Sequence, residues 1–204
     1  MLVTFEGIDG SGKSTLKNKF EDEYGSSEKT VFTSEPYDKV ETNTIIRNFL
    51  SEADSDPIQL LYLYMSNHIS HVESFIRPQL KKDNIIFCDR YYDSMLVYQS
   101  TELDSILDKN SEPLLNEDTD LLHFFDELQN IGGFQVEPDV TLYIDISSET
   151  AIERIKDSRE DIDRFETKNQ LQELSTKYDQ LCDEKERIVR VDGEQDIEEV
   201  YAEC

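Results

Sequence analysis

The sequence predicts an α/β fold built on a doubly wound parallel sheet, and three observations predict it. Short apolar runs of strand length alternate along the chain with longer segments whose apolar residues recur at helical spacing. The run Ile85-Ile86-Phe87-Cys88 is uninterrupted, which suits a strand buried on both faces. Gly7, Glu35, Asp89 and Asp145 fall at the carboxyl ends of runs, the edge at which open α/β sheets bind ligands.

Each element has its own signal. Leu2, Val3 and Phe5 form a first strand, and a helix begins near Lys13 with Leu16 and Phe20 on its apolar face. Gly25-Ser26-Ser27 is a turn, and Thr30 to Thr33 reads as a buried second strand ending at Ser34-Glu35-Pro36. Glu41 to Ser51 is helical, with Ile45, Ile46, Phe49 and Leu50 on one face. Asp56-Pro57 opens a longer helix that runs to about Lys82 on a stripe that includes Leu60, Leu61, Tyr64, Val72 and Ile76. Pro78 is a weak point near its end. The Ile85 run ends in Asp89-Arg90-Tyr91, and the polar, acidic stretch from Thr101 to Thr119 is expected to be loop. Asp120 to Ile131 is an amphipathic helix stopped by Gly132-Gly133. After a strand over Val140 to Ile146 come helices over Ser147 to Lys156 and Thr167 to Glu186, a last strand over Ile188 to Val191, and a short helix from Asp196.

Length and composition bound the function. At 204 residues the chain is expected to form one domain over 1–204, with a sizeable core. No apolar run approaches the ~18 residues of a membrane span. With the first strand starting at Leu2 there is no room for a signal peptide. Cys88, Cys182 and Cys204 lack metal-site spacing, and an odd number argues against a disulfide framework. A reduced, cytoplasmic protein is expected. The 46 acidic residues outnumber 20 basic ones, giving a net charge of -26. The acids are spread through the periodic segments and not gathered in a tail, which points to a surface adapted to concentrated salt. There is no basic stripe for nucleic acid.

Gly7-Ile8-Asp9-Gly10-Ser11-Gly12-Lys13-Ser14 fits the phosphate-binding loop G-x-x-x-x-G-K-[ST], with Thr15 next. Glycines let the backbone approach a polyphosphate closely, and the loop amides with the helix N-terminus form an anion nest. Lys13 supplies a point charge for β and γ phosphates, and Ser14 a hydroxyl for Mg²⁺. Such a loop alone gives nucleotide binding; phosphoryl transfer also needs a carboxylate that holds the metal and cations that follow the charge. Asp89 closes a buried strand where that carboxylate belongs, and the adjacent Arg90 can fork two oxygens of an anionic acceptor. Arg154, Lys156, Arg159 and Arg164 form a basic cluster in this acidic chain and read as part of a mobile lid over about 154–166.

Taken with Phe5-Glu6, Glu35-Pro36, Cys88-Asp89-Arg90-Tyr91-Tyr92-Asp93-Ser94, Tyr98-Gln99, Pro138 to Asp145 and Asp163-Arg164-Phe165-Glu166, this loop makes the chain resemble the thymidylate kinase family of nucleoside monophosphate kinases. The resemblance covers nearly the whole chain except about 101–119. It implies a three-layer P-loop fold with a five-stranded parallel sheet, a homodimer, and transfer of the γ-phosphate of MgATP to dTMP. It also implies roles. Gly7, Asp9, Gly10, Ser11, Gly12, Lys13, Ser14 and Thr15 would bind ATP, with Arg154, Arg159 and Arg164 from the lid. Asp9 would also reach the acceptor nucleotide, Glu35 would lie near acceptor and metal, and Arg47 and Arg90 would hold the acceptor phosphate. Tyr64 falls at the aromatic that stacks on the base, Gln99 where the family hydrogen-bonds the base, and Tyr98 beside them. Asp89 would hold Mg²⁺ through water, with Ser14. The position of a P-loop arginine in one branch is Gly10 here, so Arg159 becomes the candidate catalytic arginine, beside Lys13, Arg90 and Asp9.

Three positions depart from the pattern. Ser34 stands where many relatives have arginine. His68 replaces an arginine that reads thymine, and Met95 replaces a polar residue near the base. An imidazole can donate one hydrogen bond, whereas a thioether is only a weak acceptor. dTMP is therefore the expected acceptor, with dUMP, a modified pyrimidine nucleotide or a nucleoside as the alternative. A non-catalytic ATP-binding protein is disfavoured by Asp89 and the lid arginines. His68 and His71 are three apart on a helix, and no third metal ligand is evident in the sequence.

Overall fold

The computed structural model describes residues 1–51, 56–107, 121, 123, 124, 127, 136–158 and 167–204. Five parallel strands stand in the order β2-β3-β1-β4-β5: β1 Leu2–Glu6, β2 Thr30–Ser34, β3 Ile85–Asp89, β4 Val140–Asp145 and β5 Ile188–Asp192. Leu2 lies opposite Ile86, and Val3 opposite Val140. Helices α1 (Lys13–Tyr24), α2 (Glu41–Ser51), α3 (Pro57–His71), α4 (Arg77–Leu80), α5 (Tyr92–Leu107), α6 (Ser148–Ser158), α7 (Lys168–Glu184) and α8 (Ile197–Glu203) connect them. None of the described helices is long and apolar enough to cross a membrane.

The period of two in β1 sorts the layers. Val3 and Phe5 face a cluster with Leu16 of α1, Phe87 and Val200 of α8. Leu2 faces the opposite cluster, which holds Val72, Tyr92, Leu96, Leu171, Leu174 and Tyr178. Thr4 and Glu6 share the Leu2 face and are satisfied there, Thr4 by the Thr141 hydroxyl at 2.8 Å. At the other end of the sheet, Arg187 forks the fully buried Asp93 at 2.7 and 2.8 Å.

Four expectations are corrected. Residues 101–107 are helical, not loop: α5 runs to Leu107, and Lys177 of α7 holds its late turns through Ser100 at 3.0 Å and Asp104 at 2.5 Å. β2 is half-buried and not buried, because it is the edge strand. Ile45 is 41 % exposed while Ile46 is fully buried; one step around the helix separates them, and the core takes Asn43 and Ile46. The long helix is not uniform. It passes through a π-helical turn at Val72–Ile76, where the Arg77 N–H bonds the Val72 carbonyl, just before Pro78. Proline has no N–H to give, so the register change falls beside the residue that cannot keep the α ladder. The rest of the acidic segment, 108–119, lies outside the described residues, as does most of the helix expected from Asp120.

Candidate active site

The carboxyl ends of β1, β2 and β3 converge on two adjoining cavities. The larger, about 500 Å³, is walled by Gly10, Gly12, Lys13, Ser14, Thr15, Asp89 and Arg154. The smaller, about 250 Å³, is walled by Leu50, Tyr64, Tyr91, Ser94, Met95, Tyr98 and Gln99. Asp9, Glu35 and Arg90 line both.

In the larger cavity the loop between β1 and α1 takes left-handed backbone at Gly10 (φ 81°) and Gly12 (φ 93°). A side chain at Gly10 would strike the Ala151 carbonyl of α6, its Cβ 2.7 Å from that oxygen. The first turn of α1 carries no acid, so its N-terminal end stays open to an anion. The Lys13 ammonium donates to the Ile8 carbonyl at 2.7 Å and the Ser11 hydroxyl at 3.1 Å. Burial, then repulsion from Arg90, pulls it down to about 8, while Asp9, Asp89 and Glu6 oppose the fall. The Ser14 hydroxyl donates to Asp89 Oδ2 at 2.6 Å. Arg154 reaches the Gly193 carbonyl at 2.9 Å and stands between this cavity and a third of about 270 Å³, lined also by Gln195, Asp196 and Ile197.

Arg90 is set by the turn after β3, at φ 61°. Its guanidinium donates to the Gly7 carbonyl and the Ser94 hydroxyl at 3.0 Å each, to the Tyr98 hydroxyl at 3.2 Å, and to Asp9 Oδ1. The Tyr98 hydroxyl donates to Asp9 Oδ2 at 3.0 Å. Burial works against the charged form of Asp9, but Arg90 and Lys13 override it and hold the carboxyl below its ordinary value. Beneath this fork lies Glu6, fully buried. Its Oε1 accepts the Tyr91 and Ser94 backbone N–H groups at 2.7 and 3.3 Å. Its Oε2 accepts the Ser94 hydroxyl, and the Tyr178 hydroxyl at 3.0 Å. Burial, then Asp93, raises the Glu6 carboxyl to about 7.

Glu35 is held from behind by α3. Its Oε1 accepts from Nδ1 of His68 at 2.9 Å and of His71 at 2.8 Å. His71 Nε2 meets the Thr33 hydroxyl at 2.8 Å, and its ring stacks on Tyr37 with centroids 4.3 Å apart. Asn67 clamps the same loop, taking the Tyr37 N–H at 2.6 Å and donating to its carbonyl at 3.1 Å. Burial opposes the Glu35 charge, yet the two histidines hold its carboxyl down to about 2.

Most of the residues singled out in the sequence therefore meet at one place: Asp9, Gly10, Gly12, Lys13, Ser14, Thr15, Glu35, Tyr64, Asp89, Arg90, Met95, Tyr98, Gln99 and Arg154. Ser11 lines the third cavity. His68 is not on the wall of the smaller cavity; it is buried behind Glu35. Arg47 is exposed on α2 and lines none of these cavities. Lys156 is exposed on α6, and Arg159 and Arg164 lie outside the described residues. Glu6, Tyr91 and Ser94 were quoted within motif stretches without a role, His71 was weighed only as a metal ligand beside His68, and Gln195 was not singled out. A carboxylate closing an apolar strand one residue before Gly7 was the available signal for Glu6.

Comparison with known proteins agrees with this arrangement. The family model described as thymidylate kinase matches residues 5–128 and 122–204. A probable thymidylate kinase of Natronomonas pharaonis is 33 % identical over 196 residues, covering 96 % of this chain and 90 % of the relative. One from Halobacterium salinarum is 32 % identical over 205 residues, covering 100 % and 93 %. One from Sulfolobus acidocaldarius is 31 % identical over 206 residues, covering 99 % and 93 %.

Proposed function

The chain belongs to the thymidylate kinase family, and from that premise we propose that it transfers the γ-phosphate of MgATP to dTMP, giving dTDP and ADP. The observation that carries this is the pair of adjoining cavities with Asp9, Glu35 and Arg90 as common wall. One has a P-loop floor for a polyphosphate. The other has an aromatic wall for a base, and the charges between them can hold an acceptor phosphate.

In this reading an oxygen of the dTMP phosphate attacks the γ-phosphorus in line, the bond from that phosphorus to the β,γ-bridging oxygen breaks, and ADP leaves with the electron pair. The attacking oxygen is already ionised at neutral pH, so no general base is required. Lys13, with the loop amides, holds the β and γ phosphates, and Arg90 releases part of its fork on Asp9 to hold the acceptor phosphate. Arg154 approaches from α6, with Arg159 and Arg164 as the further lid arginines and Arg159 as the catalytic one. Preorganised cations of this kind are worth about 3 kcal/mol each in the barrier. Magnesium fits the donor set: the Ser14 hydroxyl and the Asp89 carboxylate, 2.6 Å apart, are hard oxygen ligands beside the phosphate cavity. When bound it would neutralise charge on the phosphates. The third cavity, beside Gln195 and Asp196, has room for the adenine.

The test is ADP release from MgATP in molar KCl with dTMP, dUMP, dCMP, dGMP and thymidine offered separately. dTMP is expected to be the best acceptor. Preference for another monophosphate keeps the kinase and moves the base assignment to the pocket around Met95. Activity on thymidine alone removes Arg90's role, and ATP binding without any transfer overturns the enzyme. A homodimer in a salt-rich cytoplasm belongs to the same proposal. Ile58 and Tyr62 of α3, 38 % and 66 % exposed, are apolar residues such a dimer would cover. A monomeric mass by sedimentation equilibrium would remove the dimer.

A further inference from the structure

Buried polar atoms in folded proteins almost always have partners, so the exceptions mark where a ligand's polar edge would fit. Among the described residues, two exceptions belong to the wall of the smaller cavity. The Tyr91 hydroxyl and Gln99 Oε1 have no hydrogen-bond partner, although Tyr91 is 1 % and Gln99 2 % exposed. Other polar groups of this wall are already engaged: the Ser94 hydroxyl with Glu6, and the Tyr98 hydroxyl with Asp9. The charged residues Asp9, Glu35 and Arg90 are those shared with the phosphate cavity. The remaining wall, with Leu50, Tyr64 and Met95, offers flat or soft apolar surface.

His68 has an unpartnered buried atom of its own, Nε2, but it does not line this cavity: its Nδ1 is held by Glu35, and its ring lies behind Tyr91, edge-on with centroids 4.8 Å apart. Burial, helped by the Glu35 charge, pushes the Tyr91 phenol far above its ordinary value, so it remains a neutral donor at every working pH.

We propose that Tyr91 is a specificity-determining residue of the acceptor site: its phenol donates a hydrogen bond to a ring carbonyl of the bound base, on the same cavity wall as Gln99, whose bond to the base the family resemblance already implies. The inference rests on dTMP as acceptor and assigns a reader to its base. Because the donor and acceptor are neutral and the hydroxyl is otherwise unpaired, a base lacking the carbonyl leaves a buried donor unsatisfied and is disfavoured.

The test is Tyr91→Phe, with dTMP and its 2-thio and 4-thio analogues as ligands, since sulfur is a poor acceptor. The Kd for dTMP is expected to rise about fivefold to tenfold. One thio analogue, weaker than dTMP on the wild type, should bind the variant as well as dTMP does. The melting temperature of the ligand-free variant should stay level or rise, because the lost hydroxyl had no partner; a structural role would lower it. Wild-type affinities for all three ligands in the variant overturn the inference, as does a lower melting temperature with unchanged thio discrimination. Failure of the wild type to bind dTMP at all overturns the acceptor assignment first, and this inference with it.

Discussion

Glu6 shows how one buried carboxylate ties two helices to the sheet's working edge. It accepts hydrogen bonds from Tyr91, Ser94 and Tyr178, and Ser94 in turn accepts from Arg90. Burial and the neighbouring Asp93 outweigh Arg90 and raise its carboxyl to about 7 from an unfolded value of 4.5. A raised acid binds its proton more tightly when folded, so the folded state loses stability as pH climbs from about 4.5 to about 7 and nothing further is lost above that. The span corresponds to on the order of 3 kcal/mol. Glu6→Gln removes the titration and leaves the shape. Its stability relative to wild type is expected to improve by about 2 kcal/mol or more between pH 5 and pH 8 in urea melts at each pH. A difference that does not change with pH would show that Glu6 ionises as freely folded as unfolded. That role was not legible in the sequence, because it depends on which face of β1 meets α5 and α7. That Lys13, Asp89 and Arg90 would meet at one cavity was legible because their motifs are carried by immediate neighbours. His68 was legible as a departure, but its bond to Glu35 was not, since 33 residues separate them.

At the scale of elements, the P-loop is pressed against α6. Gly10 and Gly12 both need positive φ, but only Gly10 has a neighbour at the missing Cβ, the Ala151 carbonyl at 2.7 Å; at Gly12 nothing lies within 4 Å. Alanine at either position carries the left-handed penalty of about 1–2 kcal/mol. Gly10→Ala should cost at least about 1 kcal/mol beyond that, so it should melt several degrees below Gly12→Ala in thermal scans. Equal melting temperatures would mean that the loop can move off α6 freely. The start of α2 was legible to the residue because its apolar positions and polar flank are local, while the course of α5 past Ser100 was not. Its last turns are polar and read as loop, and what holds them is Lys177 from a helix far along the chain. Strand order has the same character: the β2 run looks like any interior strand until the sheet puts it at the edge.

The whole molecule carries a net charge of -26. Self-repulsion of this size opposes the compact state, and salt relieves it as the screening length falls from about 10 Å at 0.1 M to about 3 Å at 1 M. The melting temperature is expected to rise by about 10 °C or more between 0.1 M and 2 M KCl, with no comparable rise in isosmotic glycerol. A flat response to KCl would separate the acidic composition from any dependence on salt. The same composition has an optical consequence. The chain has ten tyrosines and no tryptophan, and Tyr64, Tyr91 and Tyr98 wall the smaller cavity, the proposed acceptor site. No indole is present to absorb their excitation energy or hide their emission. The light the protein gives off near 300 nm therefore comes from phenol rings alone, and those at the cavity can report a nucleotide's arrival with no dye attached.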